Sequence, residues 1–143
     1  MTLIDANVLI YAYHPRSPHH ERCRLWLEAA LGGNQPVAIC WIVVLAFLRI
    51  STNARAFELP LTMAQAAAIV GQWLARPSVV VLEPGPRHWA VLQSLLVEAQ
   101  ITSPLVTDAA LAALALEHGA AVCTTDRDFK RFEGLRLVDP LAT

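Results

Sequence analysis

Apolar residues change their spacing repeatedly along the chain, from short runs to helical periodicity and back, and these changes mark out its elements. Residues 2–5 read as a short strand, and 8–13 as a helical stretch that Pro15 stops. Over 19–31 the spacing is helical, with Cys23, Trp26, Leu27 and Ala30 on one face and Gly32-Gly33 behind it. A second strand is expected at 37–40. The segment 41–51 is apolar on every face except at Arg49, which fits a helix buried on most sides. Thr62 is placed to cap a helix over 63–74, and the β-branched run 79–82 predicts a buried strand. Pro86 stands near the start of a helix through Ala99, and Thr107 could cap a helix over 108–118 that Gly119 closes. A strand at 121–124, a helical turn at 128–132 and a last strand at 135–138 complete the series.

Strands separated by helices imply right-handed crossovers and a mainly parallel sheet covered on both sides, so the fold class is α/β. No repeat, low-complexity tract or linker divides the 143 residues, and one domain over 1–143 is expected. In open sheets of this kind ligands bind beyond the carboxyl ends of the strands. Residues just after each strand therefore matter most.

Composition narrows the function classes. With 55% hydrophobic and 16% charged residues the chain is neither disordered nor fibrous. Its longest apolar run, 37–48, is shorter than the roughly 20 residues that span a bilayer, so no membrane association is expected. The first residues show no export signal, which predicts a cytoplasmic protein. Cys23, Cys40 and Cys123 are widely spaced and odd in number, which points to free buried thiols rather than disulfides or a thiolate metal site. A net charge of -1 excludes a strongly basic overall field, so any nucleic-acid contact must be local.

Aspartates carry the chemistry. They stand at positions 5, 108, 126, 128 and 139. Asp5 ends the first strand, Asp126 follows the fourth, and Asp108 opens a helix after Leu105-Val106; if the first and fourth strands are neighbours, Asp5 and Asp126 emerge at the same edge, and Asp108 could reach the same cleft. Asp at a helix start also serves the helix dipole, and Asp in a turn accepts backbone hydrogen bonds, so Asp108 and Asp128 have ordinary readings as well. Asp5 is harder to explain that way, because Asp is depleted in strands. Converging carboxylates stay ionised together only beside cations, and Mg²⁺ or Mn²⁺ suits an all-oxygen donor set. Such ions lower the pKa of bound water and stabilise charge on a leaving oxygen, which suits phosphodiester hydrolysis.

Three segments in order, Ile4-Asp5-Ala6-Asn7-Val8-Leu9, Val106-Thr107-Asp108-Ala109 with Leu111-Ala112-Ala113-Leu114, and Thr124-Thr125-Asp126-Arg127-Asp128-Phe129, resemble those of the PIN-domain superfamily, specifically the VapC-type toxins. The resemblance runs over nearly the whole chain. It implies a three-layer α/β/α fold and a Mg²⁺- or Mn²⁺-dependent endoribonuclease, the toxin of a type II toxin-antitoxin pair, usually dimeric and neutralised by a VapB-like antitoxin. By position, Asp5 and Asp108 would be the principal metal ligands and Asp126 a further one. Asn7 would orient the Asp5 loop, Thr124 or Thr125 would position a carboxylate or water, and Asp128 would support the ligands from behind. Many PIN domains carry a Glu on the helix after the second strand. Here that position is Ala46, which leaves a reduced acid set and an alternative reading as a weak or inactive RNA- or protein-binding module. Glu117, on the same expected helix as Asp108, is too far along to replace it.

Arg127, Lys130, Arg131 and Arg136 cluster beside the Asp126 motif, either to hold RNA phosphates or as a solvated face balanced by Asp128 and Glu133. Arg49 could contact RNA or an antitoxin, or cap its own helix. His19 and His20 point about 100° apart on a helix and read as surface residues rather than shared ligands. Trp26, Trp41, Phe47, Trp73 and Trp89 are assigned mostly to the core, and the helices over 8–13 and 19–31 offer an apolar edge for a partner helix. A phosphatase or phospho-accepting receiver is disfavoured: the chain has no P-loop glycines, no D-x-D at Asp5-Ala6-Asn7, and its one lysine, Lys130, follows a turn.

Overall fold

Parallel pairing on both sides of the first strand organises the chain. The computed structural model describes residues 1–142. Their elements run β1 (Thr2–Ile4), α1 (Ala6–Ala12), α2 (His20–Leu31), β2 (Val37–Ile39), α3 (Trp41–Ser51), α4 (Met63–Ala75), β3 (Val79–Val81), α5 (His88–Glu98), α6 (Val106–His118), β4 (Ala121–Cys123) and β5 (Leu137–Val138). The sheet order is β3-β2-β1-β4-β5, and every adjacent pair is parallel. Helices flank this sheet in a three-layer α/β/α arrangement. From β1 the chain first builds outward through β2 and β3, then returns to β4 on the other side of β1. The order therefore reverses at β1 and β4, which opens a crevice beyond their carboxyl ends.

Leu3, Ile4, Val122 and Cys123 of the two central strands are fully or almost fully buried, as are Val8, Leu9, Val43, Val44 and Phe47 of the covering helices. Trp73 of α4 is 2% exposed and packs edge-on against Phe47 at 4.8 Å between centroids. Its indole N–H donates to the Tyr13 hydroxyl at 3.0 Å, which satisfies the one polar atom the ring carries inward. All three cysteines are buried and free, as expected, and burial raises the Cys23 thiol to about 11. Among the described residues no helix is long and apolar enough to cross a membrane.

Several boundaries and burials depart from the sequence expectation, each for a physical reason. α1 begins at Ala6, because Asp5 caps it by accepting from the Ala6 N–H at 2.7 Å. Thr62 caps α4 as expected, in a capping box with Gln65, and Gly119 closes α6 with φ 67°. Thr107 does not cap α6: a 3-10 turn over Ser103–Leu105 runs directly into the helix, which starts at Val106. β3 is an edge strand with Val80 exposed, not a buried one. α3 buries only one side, leaving Trp41, Ile42 and Leu45 exposed, Leu45 at 63%. Trp73 and Phe47 are core residues, Trp26 is half-buried, and Trp89 lies outside at 64% exposure. Period alone cannot say which apolar face a neighbour covers.

Candidate active site

Asp5 and Thr124 leave the carboxyl ends of the adjacent strands β1 and β4, and Asp5 N–H donates to the Cys123 carbonyl at 2.9 Å, extending the pairing to the edge. Thr124 is buried there and its hydroxyl joins the two chain segments. It donates to Asp5 Oδ2 at 2.8 Å and accepts from the Asp126 N–H at 3.0 Å. The Asn7 amide donates to Asp5 Oδ2 at 3.1 Å and to the Thr124 hydroxyl at 3.3 Å, while its oxygen accepts from the Thr125 N–H at 3.3 Å. The Asp126 carboxylate in turn accepts from the Asp128 N–H at 2.8 Å. The hydroxyl proton of Thr124 is thereby directed onto Asp5, since both of its other contacts are donors.

Asp108 reaches this group from α6. Its carboxyl is pushed up to about 6, first by burial and then by the charges of Asp5, Asp126 and Asp128, with Arg131 opposing. Asp5 is raised as well: burial outweighs the hydrogen bonds from Thr124 and Ala6, and the charge of Asp126 adds to it. Asp108 therefore feels Asp5 and Asp126 as like charges, and Asp5 feels Asp126, in a partly dry setting. As the side chains stand, among the described residues no three His, Cys, Asp or Glu groups close around a point that could hold a metal ion.

The remaining candidates sort clearly. Thr124 is central to the network, whereas Thr125 enters only through its backbone N–H. Arg131 bonds the Asp128 carbonyl at 3.1 Å and its carboxylate at 3.3 Å. Among the described residues Arg127 and Lys130 make no ion pair, and both line a cleft of about 260 Å³ with Thr124, Asp126 and Asp139. Arg136 is turned away, donating to the Gly119 carbonyl at 2.9 Å. Ala46 lines an open groove together with Thr107, the neighbour of Asp108. His19 packs edge-on against Tyr11, and His20 Nδ1 meets the Tyr11 carbonyl at 2.9 Å, so neither joins a metal cluster. The sequence reading missed the stacking of His14 on Phe57, 3.7 Å between centroids and 7° from parallel, which floors a separate cleft. Nothing local signals it, because 43 positions separate the two rings (57 less 14).

An acid set of this kind at the switch point of a parallel sheet defines a class, and comparison identifies it. The PIN-domain family model matches residues 2–135, and the chain belongs to that family. Its curated relatives lie in the VapC branch. Ribonuclease VapC37 of Mycobacterium tuberculosis is 43% identical over 142 residues, covering 99% of both chains. Ribonuclease VapC31 of the same species is 41% identical, covering 98% of this chain and 99% of its own. The fold is shared with VapBC2 of Rickettsia felis, solved bound to a DNA fragment from its promoter. That structure has a TM-score of 0.69 and 18% identity, covering 96% of this chain and 97% of the other.

Proposed function

We propose that this protein is the toxin of a type II toxin-antitoxin pair, an endoribonuclease that hydrolyses RNA phosphodiesters with Mg²⁺ or Mn²⁺ in the cytoplasm. The observation that carries the reading is Asp108 beside Asp5 and Asp126 at one sheet edge, where burial first and the charges of those acids second raise its carboxyl to about 6. Such a set fits a hard divalent cation: the donors are all carboxylate oxygens, and a cation removes the repulsion that holds them open. When bound, the ion supplies an activated water and stabilises charge on the leaving oxygen.

The chain's own residues prepare the site. Thr124 and Asn7 hold Oδ2 of Asp5 and the Ala6 N–H holds Oδ1, which orients the carboxylate while Oδ1 keeps a lone pair for a cation, and the Asp128 N–H holds one oxygen of Asp126. Arg127 and Lys130 are placed to hold RNA phosphates beside these acids, with Arg131 contributing charge once released from Asp128. A VapB-like antitoxin docks on the apolar cleft lined by Tyr11, His14, Pro15, Phe57 and Leu59, at the end of α1. The uncovered face of α3, with Met63 beside it, serves self-association into a homodimer.

The test is RNA cleavage by the purified chain. Chelation should abolish it, Mg²⁺ or Mn²⁺ should restore it, and Asp5→Asn should remain folded but inactive. Undiminished cleavage in chelator, or in Asp5→Asn, overturns the assignment.

A further inference from the structure

The helix that brings Asp108 to the crevice is pinned at its opposite end. α6 starts without a side-chain cap, and Val106 and Thr107 in its first turn are exposed. Four of its buried residues are alanines: Ala109, Ala112, Ala113 and Ala115. Methyl groups project little into the grooves of a neighbour, so such a face resists sliding along the helix axis weakly. Two buried leucines, Leu111 and Leu114, share this helix, and contacts outside the alanine face add to its axial hold.

At the carboxyl end a set of polar contacts does this. The Glu117 side chain is only 5% exposed. Its Oε1 accepts from the Gly85 N–H at 2.9 Å and its Oε2 from the Arg87 N–H at 3.1 Å. These bonds, Gly85 first, hold the Glu117 carboxyl below its ordinary range. Arg87 returns a bond from its guanidinium to the Glu117 carbonyl at 2.9 Å, and His118 Nε2 meets the Glu83 carbonyl at 2.8 Å. A Cβ at Gly85 would stand 2.6 Å from Glu117 Oε2, so a side chain there would push the carboxylate off the turn.

We infer that Glu117 is a positioning residue for Asp108: its clamp on the turn before α5 sets the axial placement of α6 and so where the Asp108 carboxylate stands relative to Asp5 and Asp126. This rests on the nuclease reading. Nine residues of helix, 117 less 108, form a stiff link of about 13 Å that carries a displacement from one end to the other. Misplacing a catalytic group by about 1 Å can cost on the order of 100-fold in rate.

The experiment compares Glu117→Gln, Gly85→Ala and the double variant with Leu95→Ala, a buried α5 residue outside the clamp chosen as a packing control. Cleavage kinetics, the Mn²⁺ concentration for half-activation, and amide hydrogen exchange over 106–109 in the metal-free protein are measured at temperatures where each variant is folded. Both single variants should lower kcat by about tenfold with KM little changed, the signature of a misplaced group rather than lost substrate binding. They should also raise the Mn²⁺ midpoint and speed exchange in the first turn of α6. The double variant should be no worse than the poorer single one, because both remove the same contact. If folded Gly85→Ala and Glu117→Gln keep the wild-type Mn²⁺ midpoint and kcat, or if Leu95→Ala shifts them equally, the positioning role is overturned. Absence of metal-stimulated cleavage in the wild type, or full activity in Asp108→Asn, overturns the nuclease reading instead.

Discussion

The two ends of α6 each present a carboxylate, and their environments are opposite. Glu117 is met by two backbone N–H groups and its affinity for a proton falls. Asp108, in the first turn, receives no hydrogen bond that offsets its burial among three other acids, and its affinity rises to about 6. An acid satisfied by donors is finished as a structural part. One left short of donors among like charges retains lone pairs and an electrostatic need that a cation can meet.

The sharpest test of this contrast is Asp108→Asn, which should reduce metal-dependent cleavage by at least about 100-fold, the scale of losing a principal electrostatic group. The same substitution should stabilise the metal-free protein at neutral pH. The folded chain holds the Asp108 proton to about 6, whereas its ordinary value is 3.8, so the fold binds more protons between these limits. Stability of the metal-free wild type therefore falls as pH rises through that window, and the asparagine variant should lose that part of the decline. Thermal melts in chelator at pH 4 and pH 7 measure it; an equal decline in the variant would break the comparison.

Thr124→Val should come next, lowering kcat by roughly tenfold, because a hydrogen bond to a charged group contributes about 1.5–3 kcal/mol and Asp5 would lose its aim. Ala46→Glu sharpens the contrast from the other side by adding an acid to the groove that Ala46 and Thr107 both line. Metal-free stability at pH 7 should drop and the Mn²⁺ midpoint should fall several-fold; a large gain in cleavage would favour the reading of a crippled parent. The smallest effect belongs to Thr125→Val, within about twofold, since its side chain makes no hydrogen bond among the described residues and its N–H survives the change.

Much of this fold is legible from spacing. Short β-branched runs alternate with helical periods, and that order implies parallel strands; that Asp5 and Asp126 share one edge depends further on the first and fourth strands being neighbours, which the pairing of β1 with β4 supplies. Capping chemistry was equally readable at Thr62 and Gly119, where side-chain geometry is local. What escaped was which apolar surface meets a neighbour: Trp41 and Trp89 share the residue type of Trp73, but only the last is covered. Glu117 escaped for the same reason. Its function lies in two N–H groups about thirty positions away, and Gly85 gives a clue only once the carboxylate is seen against it.

The closed-off sulfur chemistry of this chain has a practical side. Cys23, Cys40 and Cys123 lie inside the core, and burial suppresses the thiolate that would react with an alkylating reagent. The folded exterior is consequently blank to maleimides. A single cysteine introduced on the surface can carry a fluorophore or spin label beside the natural three, with no need to delete them first.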